Sequence, residues 1–381
     1  MPAMMSFSSL GLYVHIPWCI QKCPYCDFNS HALKGVLPEA GYVETLLYDL
    51  AQDVPLLNGS RTISSIFIGG GTPSLFSPEA LADLLAGVRA QIPFTDDVEI
   101  TLEANPGTFE SAKFAEFRAL GINRLSIGIQ SFQDRQLKHL GRVHNGHEAR
   151  AAIDMAQHAG FENINLDLMF GLPEQTEDEA VADVQTALVF SPSHLSFYQL
   201  TLEPNTLFHR YPPALPDDDS IYSLQKQCQQ QLAAAGFQQY EISAYSQPGK
   251  ACRHNLNYWQ FGDYLGIGAG AHGKITQALP DKIMRTQKLK NPRQYQPGAE
   301  IRHMQTIEKD ALALEFMMNQ LRLKQGFQWA AFSARTGLSP QLLEPELSSC
   351  IAEGLLTMTD ERVFCTEKGW DFLDAILERF V

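Results

Sequence analysis

The chain has 381 residues, 45% of them hydrophobic and 19% charged, with a net charge of −14. Such a length suggests two or three domains with a sizeable packed core, and the acidic balance argues against nucleic acid as the main partner, because phosphate binding needs clustered Lys and Arg. No apolar run approaches the ~18 residues of a membrane span, and Met1 to Gly11 lacks both a basic stretch and a long apolar core, so it does not read as a signal peptide and the expected compartment is the cytoplasm.

The first β-prone run, Leu12-Tyr13-Val14-His15-Ile16, leads into Cys19-Ile20-Gln21-Lys22-Cys23-Pro24-Tyr25-Cys26, a C-x3-C-x2-C spacing. A strand that empties into this loop puts three thiolates at its C-terminal end, where α/β barrels build their sites. Three thiolates can hold three irons of a cubane cluster and leave the fourth open to a non-protein ligand. Two other readings stay open on spacing alone. A disulfide would need an oxidising compartment, and a zinc site would want a fourth ligand, for which His15 and His31 are candidates. Cys228, Cys252, Cys350 and Cys365 are scattered and read as small buried apolar residues.

Strand and helix patterns then alternate to about residue 200. Helical periodicity at Val43, Leu46, Leu47 and Leu50 precedes a second strand, Ile63 to Ile68, which runs into Gly69-Gly70-Gly71-Thr72-Pro73. Ser77-Pro78 announces the next helix, a cap residue before a first-turn proline. Further strands are predicted at Val98–Leu102, Arg124–Ile129, Ile164–Leu168 and Leu195–Leu200, with Thr176 and Glu179 as a capping box. Successive β–α units imply parallel strands joined by right-handed crossovers, with one shared open face at their C-terminal ends. Periodicity does not separate an open sheet from a barrel.

Beyond residue 205 the texture changes. Tyr211 to Asp219 reads as a loop, Ser220 to Ala235 as a helix and Phe237 to Ser243 as an added strand. His254-Asn255-Leu256-Asn257-Tyr258-Trp259 and the glycine-rich Gly266 to Gly273 follow. From about 308, two or three helices, a turn at Asp360-Glu361 between two β-like runs and a last helix suggest a small winged-helix-like α+β unit. Its 340–356 segment is acidic, unlike a DNA-reading helix. The expected division is 1–210, 211–305 and 306–381.

The cysteine spacing, with an aromatic before the third cysteine, resembles the signature of the radical SAM superfamily. That resemblance implies an α/β fold of the partial six-stranded (β/α) barrel type. It also implies a 4Fe-4S cluster on Cys19, Cys23 and Cys26, whose open iron binds S-adenosylmethionine. Gly70, Gly71 and Thr72 resemble the motif that meets the methionyl part, with Tyr13 and Tyr25 near the cluster. Glu103, Gln130, Arg142 and Asp167, at or past the ends of the third to fifth strands, resemble the S-adenosylmethionine pocket of the oxygen-independent coproporphyrinogen III oxidase subfamily. Taken singly, each reads first as a surface or strand-cap residue; a carboxylate there can accept from ribose hydroxyls, and Arg can fork onto a carboxylate.

Two departures put the oxidase reaction in doubt. The oxidase pattern continues with a fourth cysteine at the position Phe28 holds here, and it carries a long arm ahead of the first strand, which here begins near Leu12. Both favour the sister group of heme chaperones, whose H-N-x-x-Y-W heme-binding motif resembles residues 254–259. By that resemblance His254 ligates heme iron while Tyr258 and Trp259 pack on the porphyrin, with Cys252 and His272 as alternative ligands. A neutral imidazole is a good axial ligand. The implied partners are heme, a heme donor protein and a respiratory membrane cytochrome that accepts heme at the inner membrane. A homodimer is also an expectation. A porphyrinogen-oxidising radical enzyme is the rival, and an RNA-modifying one is opposed by the charge.

Overall fold

A computed structural model of the chain describes residues 10–277 and 282–380; the first nine residues, on which most of the signal-peptide reading falls, lie outside it. Six strands follow one another in sequence and in space: β1 (Leu10–Ile16), β2 (Ile63–Gly70), β3 (Phe94–Ala104), β4 (Arg124–Gln130), β5 (Asn163–Phe170) and β6 (His194–Gln199). Every neighbouring pair among them is parallel. Their β-branched and leucine runs suit this, because helices cover the outer face and side chains fill the inner one. Helices α1 (Glu39–Asp53), α2 (Pro78–Gln91), α3 (Gly146–His158) and α4 (Glu177–Val189) supply crossovers.

The local start signals act as the sequence predicts. The Ser77 side chain accepts from the Ala80 N–H with Pro78 in the first turn, and Thr176 and Glu179 form a reciprocal capping box. The apolar stripe of α1 buries Val43, Leu46 and Leu50 against the sheet.

Four features exceed the predicted pattern. After helix α5 (Asp218–Ala234), the predicted added strand is the hairpin β7 (Gln238–Glu241) and β8 (Ala244–Ser246), antiparallel on the β6 edge. The H-N-x-x-Y-W segment is helical, α6 (Arg253–Trp259). The glycine-rich run begins in β9 (Asp263–Ile267), a seventh parallel strand seated on the free edge of β1. From it a meander of β10 (His272–Gln277), β11 (Lys282–Lys288) and β12 (Arg302–Thr306) continues the sheet. The twelve strands run β12-β11-β10-β9-β1-β2-β3-β4-β5-β6-β8-β7, and the two outer strands are not paired to each other. Side chains from the ends of β2 to β6 line one cavity, as a curled sheet arranges them.

The last segment packs helices α7 (Lys309–Gln320), α8 (Trp329–Thr336) and α9 (Glu346–Ala352) against a three-stranded sheet. Its hairpin is Leu356–Met358 with Arg362–Cys365, and Phe327–Gln328 pairs with the second strand. Three helices and a hairpin in this order form a winged-helix-like α+β unit. It has its own core, centred on Phe316, Phe327 and Phe332, which reaches Phe261 and Ile283 of the sheet extension. Among the described residues no helix is long and apolar enough to cross a membrane.

Candidate functional site

The cysteine loop leaves β1 and is closed by a short parallel ladder that pairs Trp18 with His31 and Cys19 with Ala32. The Asn29 amide donates to the carbonyls of Ala269 and Lys290, each at 2.8 Å, and so ties the loop to the segments that follow β9 and β11. The glycine run at the end of β2 docks on the loop's other side: Gly71 N–H donates to Ile16 O and Thr72 N–H to Trp18 O, both at 2.7 Å. Gly70 sits at φ 115°, and a Cβ on Gly71 would lie 2.5 Å from Trp18 O. The contact therefore requires glycine at both positions.

Cys19, Cys23 and Cys26 are unpaired and partly exposed, and all three line one cavity of about 310 Å³. Burial pushes the Cys19 thiol up, and the Thr72 hydroxyl pulls it down. Arg142 reaches Cys23 Sγ at 3.7 Å. The histidines that a zinc site would have used are otherwise engaged. His15 Nε2 donates to Asn29 O at 2.9 Å, which leaves Nδ1 to accept from the Tyr13 hydroxyl, and His31 faces Asn29 Oδ1. Among the described residues no three His, Cys, Asp or Glu side chains close round a single ion. Three converging thiols without a fourth protein donor suit a cubane with one open iron.

The same cavity gathers the expected pocket residues from strand ends and the loops that follow them: Tyr25, Gly70, Gly71, Thr72, Glu103, Gln130, Arg142 and Asp167. Glu103 Oε2 accepts from Gly70 N–H at 3.0 Å. Its carboxyl is pushed up to about 7 by burial and then by the nearby Asp167. Asp167 is itself raised by burial, and it accepts from Asn165 and Ser126. Gln130 ends β4 at φ 67°, a left-handed conformation that costs a non-glycine residue energy and turns its amide to the Tyr198 hydroxyl, 2.7 Å away. Arg142 donates to Asn105 Oδ1 at 2.6 Å and Gly128 O at 2.8 Å, while its Nε is buried without a partner. An unpaired guanidinium N–H beside two carboxyls and a thiol set fits a zwitterionic, hydroxylated, cationic ligand such as S-adenosylmethionine.

Tyr13 lies elsewhere. It lines an adjoining cavity of about 850 Å³ together with Tyr258, Trp259, Tyr264, His272, Lys274, Arg285 and Arg322. The two cavities share Phe28, Gly70 and Glu103. Phe28 is 59% exposed and stands where the oxidase pattern has its fourth cysteine. His254 does not line either cavity. It is buried on α6, its ring nitrogens 3.0 Å from Ser65 Oγ and 2.9 Å from the Tyr258 hydroxyl, and its ring is stacked on Phe67. Cys252 is fully buried against Glu99. Tyr258 and Trp259 do reach the cavity, so the motif contributes its aromatics to the wall and its histidine to the packing behind them.

Sequence reasoning passed over Asn105, Ser126, Ser196 and Tyr198, which complete the smaller cavity, and Tyr264, Lys274, Arg285 and Arg322, which line the larger. The strand-end position of Asn105-Pro106 was a usable signal. The cations had none, since they come from the meander and from the end of α7.

A curled parallel sheet with three thiols and a polar pocket at its C-terminal ends defines a protein of the radical SAM class. Residues 13–187 match the family model of the Radical SAM superfamily, and residues 307–372 match that of the HemN C-terminal domain. The chain is 50% identical to the heme chaperone HemW of Escherichia coli over 99% of its own length and all of that protein's. It is 48% identical to the heme chaperone HemW of Haemophilus influenzae, covering 99% of both chains. The solved structure of E. coli coproporphyrinogen III oxidase, HemN, is similar in fold, with a TM-score of 0.81 at 22% identity over 98% of this chain and 90% of that one. The chain belongs to the HemW family of the radical SAM superfamily.

Proposed function

We propose that this protein is a heme chaperone that takes heme from a donor protein and passes it to respiratory membrane cytochromes. In this reading Cys19, Cys23 and Cys26 hold a 4Fe-4S cluster, and the smaller cavity takes S-adenosylmethionine. When bound, the cluster supplies an open iron for the amino and carboxylate groups of that cofactor and a source of one electron. Arg142 orients the carboxylate, Glu103 and Asp167 accept from hydroxyl or ammonium groups, and Thr72 and Gly71 present backbone at the methionyl end.

The observation that carries the reading is the pair of adjoining cavities. The larger has a volume within the ~300–1,000 Å³ range of small-molecule and cofactor sites, an aromatic lining and three basic side chains. A flat, largely apolar dicarboxylate suits it. The relatives named heme chaperones support heme as the occupant.

A second reading, a radical enzyme acting on a porphyrinogen, is favoured by the completeness of the smaller cavity. One experiment separates the two. Cluster-reconstituted protein is titrated anaerobically with heme by absorbance, and in parallel incubated with coproporphyrinogen III, S-adenosylmethionine and a reductant. Saturable heme binding without turnover is expected. Turnover to protoporphyrinogen would overturn the chaperone reading.

A further inference from the structure

We infer that Asp183, on the outer helix α4, is a positioning residue for S-adenosylmethionine: it holds the end of β4 in the strained turn that aims the Gln130 amide into the smaller cavity. This rests on the S-adenosylmethionine reading of that cavity and names a group outside it on which binding depends.

A carboxylate is rarely buried on the core face of a helix, because its charge is costly there unless donors surround it. Asp183 shares the buried stripe of α4 with Ala180, Val184 and Ala187, is 1% exposed and does not line the cavity. Its hydrogen bonds go to the two residues that follow Gln130. The Ser131 hydroxyl donates to Oδ2 at 2.6 Å, and the Phe132 N–H donates to Oδ1 at 2.8 Å. Ser131 Oγ in turn accepts from the Gln133 N–H at 3.0 Å, so three consecutive residues hang on one carboxyl group. Burial pushes the Asp183 pKa up to about 6, and the Ser131 and Phe132 donors pull against it, so at pH 8 the carboxylate accepts both bonds.

What this grip fixes is the residue just before it. Gln130 has φ 67°, and the pairing of β4 with β5 is interrupted between Ile127 and Gln130. Such an interruption re-aims a side chain. A left-handed residue other than glycine persists only where its surroundings over-determine it. Here the Ser131 N–H closes on Ile129 O at 2.9 Å, and Asp183 anchors Ser131 and Phe132 from outside. A Cβ on Gly128 would lie 3.1 Å from Gln130 Nε2 and 3.2 Å from an Arg142 guanidinium nitrogen, so the strand leaves room for both side chains. Gln130 Oε1 accepts from the Tyr198 hydroxyl. That leaves Nε2, which has no hydrogen bond among the described residues, as a donor to the ligand in the cavity that Gln130 lines. Without the Asp183 anchor the turn relaxes and the donor moves off its target.

The test is an anaerobic calorimetric titration of cluster-loaded protein with S-adenosylmethionine at pH 8. The proteins are wild type, Asp183→Ala, Asp183→Asn, Gln130→Ala and the double variant Asp183→Ala/Gln130→Ala. Asp183→Ala should bind about tenfold more weakly, the loss of one hydrogen bond to the ligand, while keeping wild-type iron and sulfide per chain. Asp183→Asn keeps an acceptor for the Phe132 N–H and should recover affinity to within about threefold of wild type. Once Gln130→Ala is in place, Asp183→Ala should cost nothing further, because it acts through that side chain. Where Asp183→Ala fails to fold, Ser131→Ala, which deletes only the hydroxyl, takes its place in the same cycle. Equal losses with and without the Gln130 side chain, or wild-type affinity in the single variant, would overturn the assignment and leave the cofactor reading standing. Absence of saturable binding to the wild type would overturn both.

Discussion

At the scale of single residues, Glu103 is where the pocket's electrostatics concentrate. Burial and Asp167 raise its carboxyl from the ordinary 4.5 to about 7, against the pull of Gly70 N–H and Arg124. Below 4.5 the group is protonated in both folded and unfolded chains and contributes nothing. Between 4.5 and 7 the unfolded chain ionises first, so stability falls as pH rises, and above 7 the whole penalty stands. Glu103→Gln should therefore raise the melting temperature of the ligand-free protein at pH 8 and not at pH 4. A cationic ligand favours the carboxylate, so S-adenosylmethionine should bind more weakly at pH 6 than at pH 8 in wild type, and with a flatter profile in Glu103→Gln. Scanning calorimetry at pH 4 and 8 checks the first sign, and titration calorimetry at pH 6 and 8 the second. His254 carries a different burden. Burial, and then Arg124, lower its pKa to about 3, which keeps the imidazole neutral in its packed site. His254→Ala should cost about 2–4 kcal/mol in urea unfolding through the cavity and the lost bonds.

At the scale of elements, the glycine run after β2 and the cysteine loop after β1 form one device, because each presents backbone to the other. Gly71→Ala forces a Cβ against Trp18 O. It should lower cluster content after reconstitution and weaken S-adenosylmethionine binding, measured as iron and sulfide per chain and by titration. The parallel core was legible in the sequence because strand runs, glycines and caps recur at the same places in each β–α unit. The cysteine loop was legible because three cysteines lie within eight residues of one another. The helix at 253–259 was not: its first turn holds His and Asn, poor helix formers, and packing of His254 on Phe67 and Ser65 decides it. Nor was β9, where the sequence shows only the start of a glycine-rich run. Its strand exists because the edge of β1 offers it a partner, a long-range pairing that no local pattern announces.

At the scale of the whole molecule, the meander that carries His272, Lys274 and Arg285 is bolted to α1 by a buried charge cluster. Lys288 pairs with Asp49 and, at 2.7 Å, with Asp53; Arg302 meets Asp53 at 2.6 Å, and Tyr295 donates to Asp49 at 2.5 Å. Lys288→Met leaves the buried Asp49 without a cation and Asp53 with Arg302 alone, and breaking a buried pair in this way costs about 3–5 kcal/mol. It should lower the melting temperature, with the wall of the larger cavity losing amide-exchange protection before the parallel strands. The acidic C-terminal unit packs on this same extension through Phe261 and Ile283, so cavity wall and terminal unit share one apolar core.

The chaperone claim is tested most directly by transfer. Heme-loaded protein is mixed anaerobically with membranes that hold a heme-free respiratory cytochrome, and the protein's Soret band and the cytochrome's reduced α-band are followed together. Loss from the first with matching gain in the second, faster than from free heme at the same concentration, is the predicted result. Heme that stays on the protein, or reaches the cytochrome no faster than free heme does, would contradict it.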